Sequence, residues 1–196
     1  MSLPPEYRTP EMEAVSQKMA TMTPEEFSAL RLLTDEDHHL IGRYIQSYNF
    51  IDFNLRRSIE LFWHTKMLPS EHVRRYPKYN DAELSDMVAQ VVETMDGNEE
   101  DIPKALEWLA LIKQGRPYRN LMGHFAAKRM DGDIIIFASK NERDAERAFG
   151  RRLQRNHIFT ASTTAKALHD LNVHIAAPSN WIAFKYAEWC KRYDKS

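Results

Sequence analysis

Within residues 115 to 125, GRPYRNLMGHF, an arginine, an amide and an imidazole fall close together as Arg119, Asn120 and His124. These side-chain types suit cleavage of a phosphodiester in RNA. A ribose 2′-hydroxyl attacks its own neighbouring phosphate without a metal, provided that its proton is removed, the leaving 5′-oxygen is protonated and the phosphorane charge is stabilised. Imidazole serves either proton transfer, because its ordinary pKa of about 6.5 leaves both forms populated near neutrality. Guanidinium stays cationic and grips two phosphate oxygens at once. Five residues along a regular helix set two side chains about 140° apart, so one helix aligns Arg119 and His124 poorly. Two copies packed about a two-fold axis would bring both pairs into one shared cleft.

The surroundings of this motif are cationic. Lys113, Arg116, Arg119, Lys128 and Arg129 fall within residues 113–129 with no acid between them. A second acid-free stretch holds Arg147, Arg151, Arg152, Arg155 and Lys166, and Arg143, Arg147, Arg151 and Arg155 recur at four-residue steps. On a helix that step makes one cationic face, which suits an RNA backbone. The candidate nucleic-acid contacts are therefore Lys113, Arg116, Tyr118, Lys128, Arg129, Arg147, Arg151 and Arg155, with the Tyr118 ring available to stack a base. Phe125 reads as core. The arginine face equally suits pairing with Glu142, Asp144 and Glu146, or with the acidic segment 80–101, which carries Asp81, Glu83, Asp86, Glu93, Asp96, Glu99, Glu100 and Asp101 and no Lys or Arg.

Mostly helices are available to position these groups. Gly is scarce and apolar residues recur at helical spacing, which predicts an all-α fold. Short helices are expected over 10–21 and from the cap Thr23, followed by Pro24 and Glu26. The strongest element begins near Thr34 or Asp35 and runs to about Met67, with Leu40, Tyr44, Tyr48, Ile51, Leu55, Ile59 and Phe62 as its buried stripe. Pro69 ends it. RRYPKYND is a surface connection in which Asn80 or Asp81 caps the next helix, whose inner side is Leu84, Met87, Val88, Val91, Val92 and Met95. After a DGNEED turn a helix opens near Pro103 and is interrupted at GRP. Pro117 has no N–H and disfavours helical geometry at Arg116, so a new or sharply kinked helix follows and Arg119 falls within a turn of its start.

DGDIIIFASK reads as a turn and a lone strand that pairs with an unidentified partner or with its copy in another subunit. Residues 141–154 return to helical composition. A last helix is expected from about Ser162 to Tyr193, kinked or split at Pro178. The expected architecture is an up-and-down four-helix bundle over 35–196 with a minor β-strand element, preceded by a short helical extension over 1–34.

RNLMGH resembles the signature of the HEPN superfamily, an Arg followed after four to six residues by His, in the form where a polar residue follows the Arg. LIGRYIQSYNFIDFNLRRSIELF is similar to the first core helix of such domains, and the resemblance covers about residues 35–193. It implies a four-helix bundle that forms a homodimer and acts as a metal-independent endoribonuclease, without a cofactor, in phage defence or a toxin-antitoxin system. Arg119 and His124 would then be catalytic and Asn120 would support them. RNA, a second copy of the chain, and a cognate antitoxin or nucleotidyltransferase are the implied partners. A scaffold that binds or dimerises without cutting is the other outcome the resemblance allows.

Other chemistry finds little support. There is no Gly-rich phosphate loop ending in GK[ST], no GxGxxG after a strand, no HExxH, no CxxC pair and no GxSxG elbow. DEDHHL places Asp35, Asp37, His38 and His39 together, but acids suit a helix N-terminus and adjacent His side chains diverge by about 100°, so no metal site is expected there. His64 and His72 flank the Pro69 turn without evident partners, and His169 and His174 face different directions on the last helix and read as surface or core polar groups. Cys190, the one cysteine, sits in an aromatic run and reads as core. A chain of 196 residues with 43% hydrophobic content and 27 basic against 28 acidic residues is globular rather than disordered. With no leader-like start and no long apolar run, a cytoplasmic protein off the membrane is expected.

Overall fold

The computed structural model describes residues 10–74, 76–95, 101–143, 146 and 159–193. Its elements are α1 (Pro10–Thr21), α2 (Pro24–Ala29), α3 (Asp35–His64), α4 (Ser70–Val73), α5 (Leu84–Glu93), α6 (Asp101–His124), β1 (Ala126–Arg129), β2 (Ile134–Ser139), β3 (Phe159–Thr164) and α7 (Ala165–Tyr193). The fold is mostly helical with a small antiparallel sheet of order β1-β2-β3. No helix among the described residues is long and apolar enough to cross a membrane. The chain divides into two compact units, one of Met1–Ile45 and Pro117–Val173, the other of Gln46–Arg116 and His174–Ser196.

Local signals set the helix ends. Thr23 and Glu26 form a reciprocal cap on α2, Thr23 N–H donating to Glu26 Oε2 at 2.8 Å and Glu26 N–H to Thr23 Oγ1 at 3.2 Å. Thr34 and Asp37 repeat the device on α3, at 2.8 and 3.2 Å. The seven apolar residues expected along α3 are all buried. α3 stops before Pro69 is reached. Lys66 takes the left-handed conformation at φ 61°, its N–H donates to the Trp63 carbonyl at 3.2 Å, and the Met67 N–H donates to Phe62 at 2.8 Å. These two bonds are the pattern of a Schellman end, with Lys66 in the position usually held by glycine.

In the first unit the lone strand acquires partners within its own chain. β2 pairs with β1 from Ala126↔Ala138 to Arg129↔Ile135 and with β3 from Ile134↔Thr164 to Ser139↔Phe159. The β1–β2 turn needs Gly132 at φ +74°, and Met130 N–H closes it on the Ile134 carbonyl at 2.9 Å. One sheet face packs Ile136 with Val15, Met19 and Met130, against Met22, Phe27 and Leu30. By the alternation of strand side chains the other face carries Arg129, Ile135, Phe137, Ala161 and Thr163. Ser162, expected to open the last helix, is instead a β3 residue, and α7 begins at Ala165. Pro178 is buried within an unbroken α7.

The second unit packs α3, α5, α6 and α7 residues together. Phe62 meets Trp189 with ring centroids 5.1 Å apart, and the buried Tyr48 hydroxyl donates to the Ile112 carbonyl at 2.8 Å. Leu84, Met87, Val88, Val91 and Val92 are buried as expected, and Asn80 closes the turn before α5 by accepting from Glu83 N–H at 3.2 Å. Cys190 is half-buried rather than core, beside Tyr186, whose pKa is raised by burial and by Cys190.

α6 runs through Pro117 as one helix, which overturns the expected break at GRP. A proline inside a helix costs about 3 kcal/mol, and buried neighbours outweigh that cost here. Leu109 and Ile112 precede it, Leu121 and Met122 follow it, and Arg116 beside it is only 6% exposed. Both Arg116 terminal nitrogens bond the Asp52 carboxylate, Nη1 at 3.1 Å, and its guanidinium lies 5.8 Å from the Tyr48 ring centroid. Burial opposes the charge of Arg116, but the hydrogen bond and charge of Asp52, with Asp81 and Tyr48, outweigh it and raise its pKa.

Two stability outcomes follow from these contacts. Asp52→Ala leaves a buried guanidinium unpaired and is expected to cost about 3 kcal/mol, whereas Asp52→Leu with Arg116→Met recovers most of it; urea titration of both variants checks this. Lys66→Gly relieves a left-handed lysine and should stabilise by up to about 1 kcal/mol in the same assay.

Candidate active site

The motif occupies the last two turns of α6. Arg119 is therefore near the C-terminal end of a 24-residue helix and not near a helix start, and His124 is its final residue. Leu121, Met122 and Phe125 form the buried side of this segment, with Phe125 N–H bonded to the Leu121 carbonyl at 3.1 Å. Gly123 and His124 are exposed, and Tyr118, Arg119 and Asn120 are half-buried. Asn120 and His124, four residues apart, are neighbours on one helix face.

Arg119 takes the adjacent face. A Cβ built on Gly123 would stand 3.7 Å from Arg119 Nη1, so the guanidinium lies over Gly123, one turn further along the helix. This direction shortens the gap implied by a separation of about 140° between Cα–Cβ vectors. The glycine leaves room for it. Sequence reasoning missed Gly123 as part of the site, although a glycine four residues after the motif arginine and directly before the histidine was a usable signal. A cation, an amide and an exposed imidazole are thus presented on the closing turns of one helix.

The flanking cations are engaged within the protein. Arg129 Nη1 bonds Asp37 Oδ2 at 3.3 Å, its Nη2 bonds Asp133 Oδ1 at 2.8 Å, and its backbone N–H donates to the Arg31 carbonyl at 2.8 Å. The Asp37 side chain is 1% exposed, which makes this pair part of the interior. Lys128 Nζ reaches the carbonyls of Ser28 and Leu30 at 3.3 and 3.4 Å. Lys113 Nζ bonds both Asp86 oxygens, at 2.8 and 2.9 Å, where both side chains are half exposed. Arg116 is the clear departure from the expected nucleic-acid contacts, because its buried guanidinium is turned to Asp52 and not to solvent. Arg147, Arg151 and Arg155 lie outside the described residues.

The remaining titratable groups do not gather. Among the described residues no three His, Cys, Asp or Glu side chains converge as metal ligands. Asp37 of DEDHHL turns inward to Arg129 while His38 and His39 are exposed. His72 bonds Gln90 Oε1 through Nε2 at 2.6 Å, and the His64 ring stands edge-on to Trp63. Gln90 escapes a sequence reading because nothing in spacing or composition links it to His72, 18 residues away.

No protein-family model, curated protein or solved structure matches this chain. Its functional reading therefore stands on its own residues and on the motif resemblance. For the site geometry, Gly123→Ala should be accommodated and stabilise by up to about 1 kcal/mol through helix propensity, while Gly123→Leu should displace the Arg119 guanidinium. Denaturation of both variants checks this, and a destabilised Gly123→Ala would mean that the guanidinium has no room to yield.

Proposed function

We propose that the chain is a HEPN-type endoribonuclease that cuts RNA without a metal at a site shared between two copies of itself. The observation that carries this reading is the pairing of an exposed His124 with an Arg119 guanidinium directed over Gly123 toward the same helix end. In this reading α3, α5, α6 and α7 form an up-and-down four-helix bundle, and the α6 ends of two protomers meet about a two-fold axis.

His124 of one protomer removes the proton from a ribose 2′-hydroxyl. The oxygen attacks the adjacent phosphorus, and the phosphorane charge is held by the two Arg119 guanidiniums. The partner's His124 then protonates the departing 5′-oxygen, giving a 2′,3′-cyclic phosphate and a 5′-hydroxyl. Asn120, one turn before His124, orients the imidazole or a phosphate oxygen. Such an activity suits a toxin or a phage-defence effector, held in check by an antitoxin or a nucleotidyltransferase.

The test is cleavage of single-stranded RNA in EDTA. Arg119→Ala and His124→Ala should each lower the rate by at least about 100-fold, the scale of losing one proton-transfer or charge-stabilising group, with helicity unchanged by circular dichroism. Equal cutting by parent and variants removes the assignment.

A further inference from the structure

Apart from the motif, the second unit carries a partly exposed aromatic pair and several unengaged cations where α3 leads into α4 and α5. Trp63 and Tyr76 stack nearly parallel, with centroids 4.7 Å apart and planes 13° from one another. Trp63 is 38% exposed and Tyr76 is half-buried. The stack is braced from within. Buried Tyr79 donates its hydroxyl to the His72 carbonyl, which also accepts the Tyr76 backbone N–H at 3.2 Å, and the His72 ring is tied to Gln90.

Lys66, Arg74 and Lys78 lie within three residues of Trp63 or Tyr76 along the chain, are exposed, and form no ion pair among the described residues. Glu60, whose charge acts on Tyr76, and Glu71 are the acids of the same stretch, which is net cationic in sequence. The contrast with the motif region is direct, since Lys113, Arg116, Lys128 and Arg129 are all engaged internally. Lys66 is also an unusual residue for its backbone. It occupies the left-handed end of α3, where glycine is the unstrained choice, and its exposed side chain springs from the turn that its N–H closes on the Trp63 carbonyl. Residues held in such conformations concentrate at binding sites.

We propose that the Trp63–Tyr76 stack, with Lys66, Arg74 and Lys78 near it in the chain, is a docking platform for unpaired RNA. A base stacks on the aromatic pair and the adjoining phosphates lie against the cations, a combination that selects strands whose bases are free to splay out. A duplex keeps its bases stacked internally and an acidic peptide has none to offer. The platform rests on the proposed ribonuclease reading only in taking RNA as the polyanion, and it is tested by binding rather than by cutting.

The experiment measures binding of a labelled single-stranded RNA oligonucleotide to the full chain carrying His124→Ala, so that the RNA stays intact. Adding Trp63→Ala should weaken binding by about 5- to 100-fold, the range for loss of one base stack, while Trp63→Phe should retain most of it. Lys66→Gly and Lys78→Gln should each weaken binding and reduce the slope of log affinity against log salt by about 0.7. Lys66→Gly is the decisive variant, because a rise or no change in its unfolding midpoint with weaker binding rules out misfolding. Unchanged binding in Trp63→Ala and Lys78→Gln overturns the proposal. So does equal competition by duplex RNA, polyglutamate or anionic phosphatidylserine vesicles. Cutting by Arg119→Ala and His124→Ala at the parent rate would remove the nuclease reading and leave this binding result standing on its own.

Discussion

Two carboxylates of α3, Asp52 and Asp37, hold the cations that bracket the motif. Asp52 takes Arg116 on one side of it and Asp37 takes Arg129 on the other, both as interior pairs. A buried charge without its partner costs several kcal/mol, so each arginine is confined to its carboxylate far more tightly than a surface pair would confine it. Arg116 is thereby anchored within α6 before the motif, and Arg129 is anchored within β1 after it.

This constraint changes what the cationic segment is for. Read as a line of charge, residues 113–129 look like a track for a polyanion. Arg116 and Arg129 instead secure secondary structure, and Lys128 satisfies backbone carbonyls of Ser28 and Leu30. The motif itself offers one arginine directed past a glycine, one amide and one exposed imidazole. On the proposed reading, substrate grip falls to surfaces such as the Trp63–Tyr76 stack and the cations near it in the chain.

Much of this was legible in the sequence, for reasons that differ by element. The α3 stripe and the Thr23 and Thr34 caps depend on neighbours within one or two turns, which spacing records directly. β2 announced itself as a β-branched run after a turn. β3 carried the period-two pattern of Phe159, Ala161 and Thr163 buried against Thr160, Ser162 and Thr164 half-buried, but its small hydroxyl residues blur into the helix that follows. β1, only AAKR, has no pattern of its own and forms because β2 templates it. Pro117 and Pro178 were overweighted because their local cost is visible and the packing that outweighs it is not. Asp37 and Asp52 sit on the apolar stripe of α3, three residues before Leu40 and four after Tyr48. An acid at such a position calls for a cation, yet the sequence does not say which one, since Arg116 lies 64 residues from Asp52.

The central claim, that two protomers supply one catalytic centre, is tested most directly by mixing. Parent chain and His124→Ala chain, unfolded together and refolded in varied proportions, assort at random into dimers, and RNA cleavage in EDTA is then measured against the parent fraction. A centre needing both imidazoles predicts a rate that follows the square of that fraction. A rate linear in the fraction, or no cleavage even by the pure parent, would contradict the account.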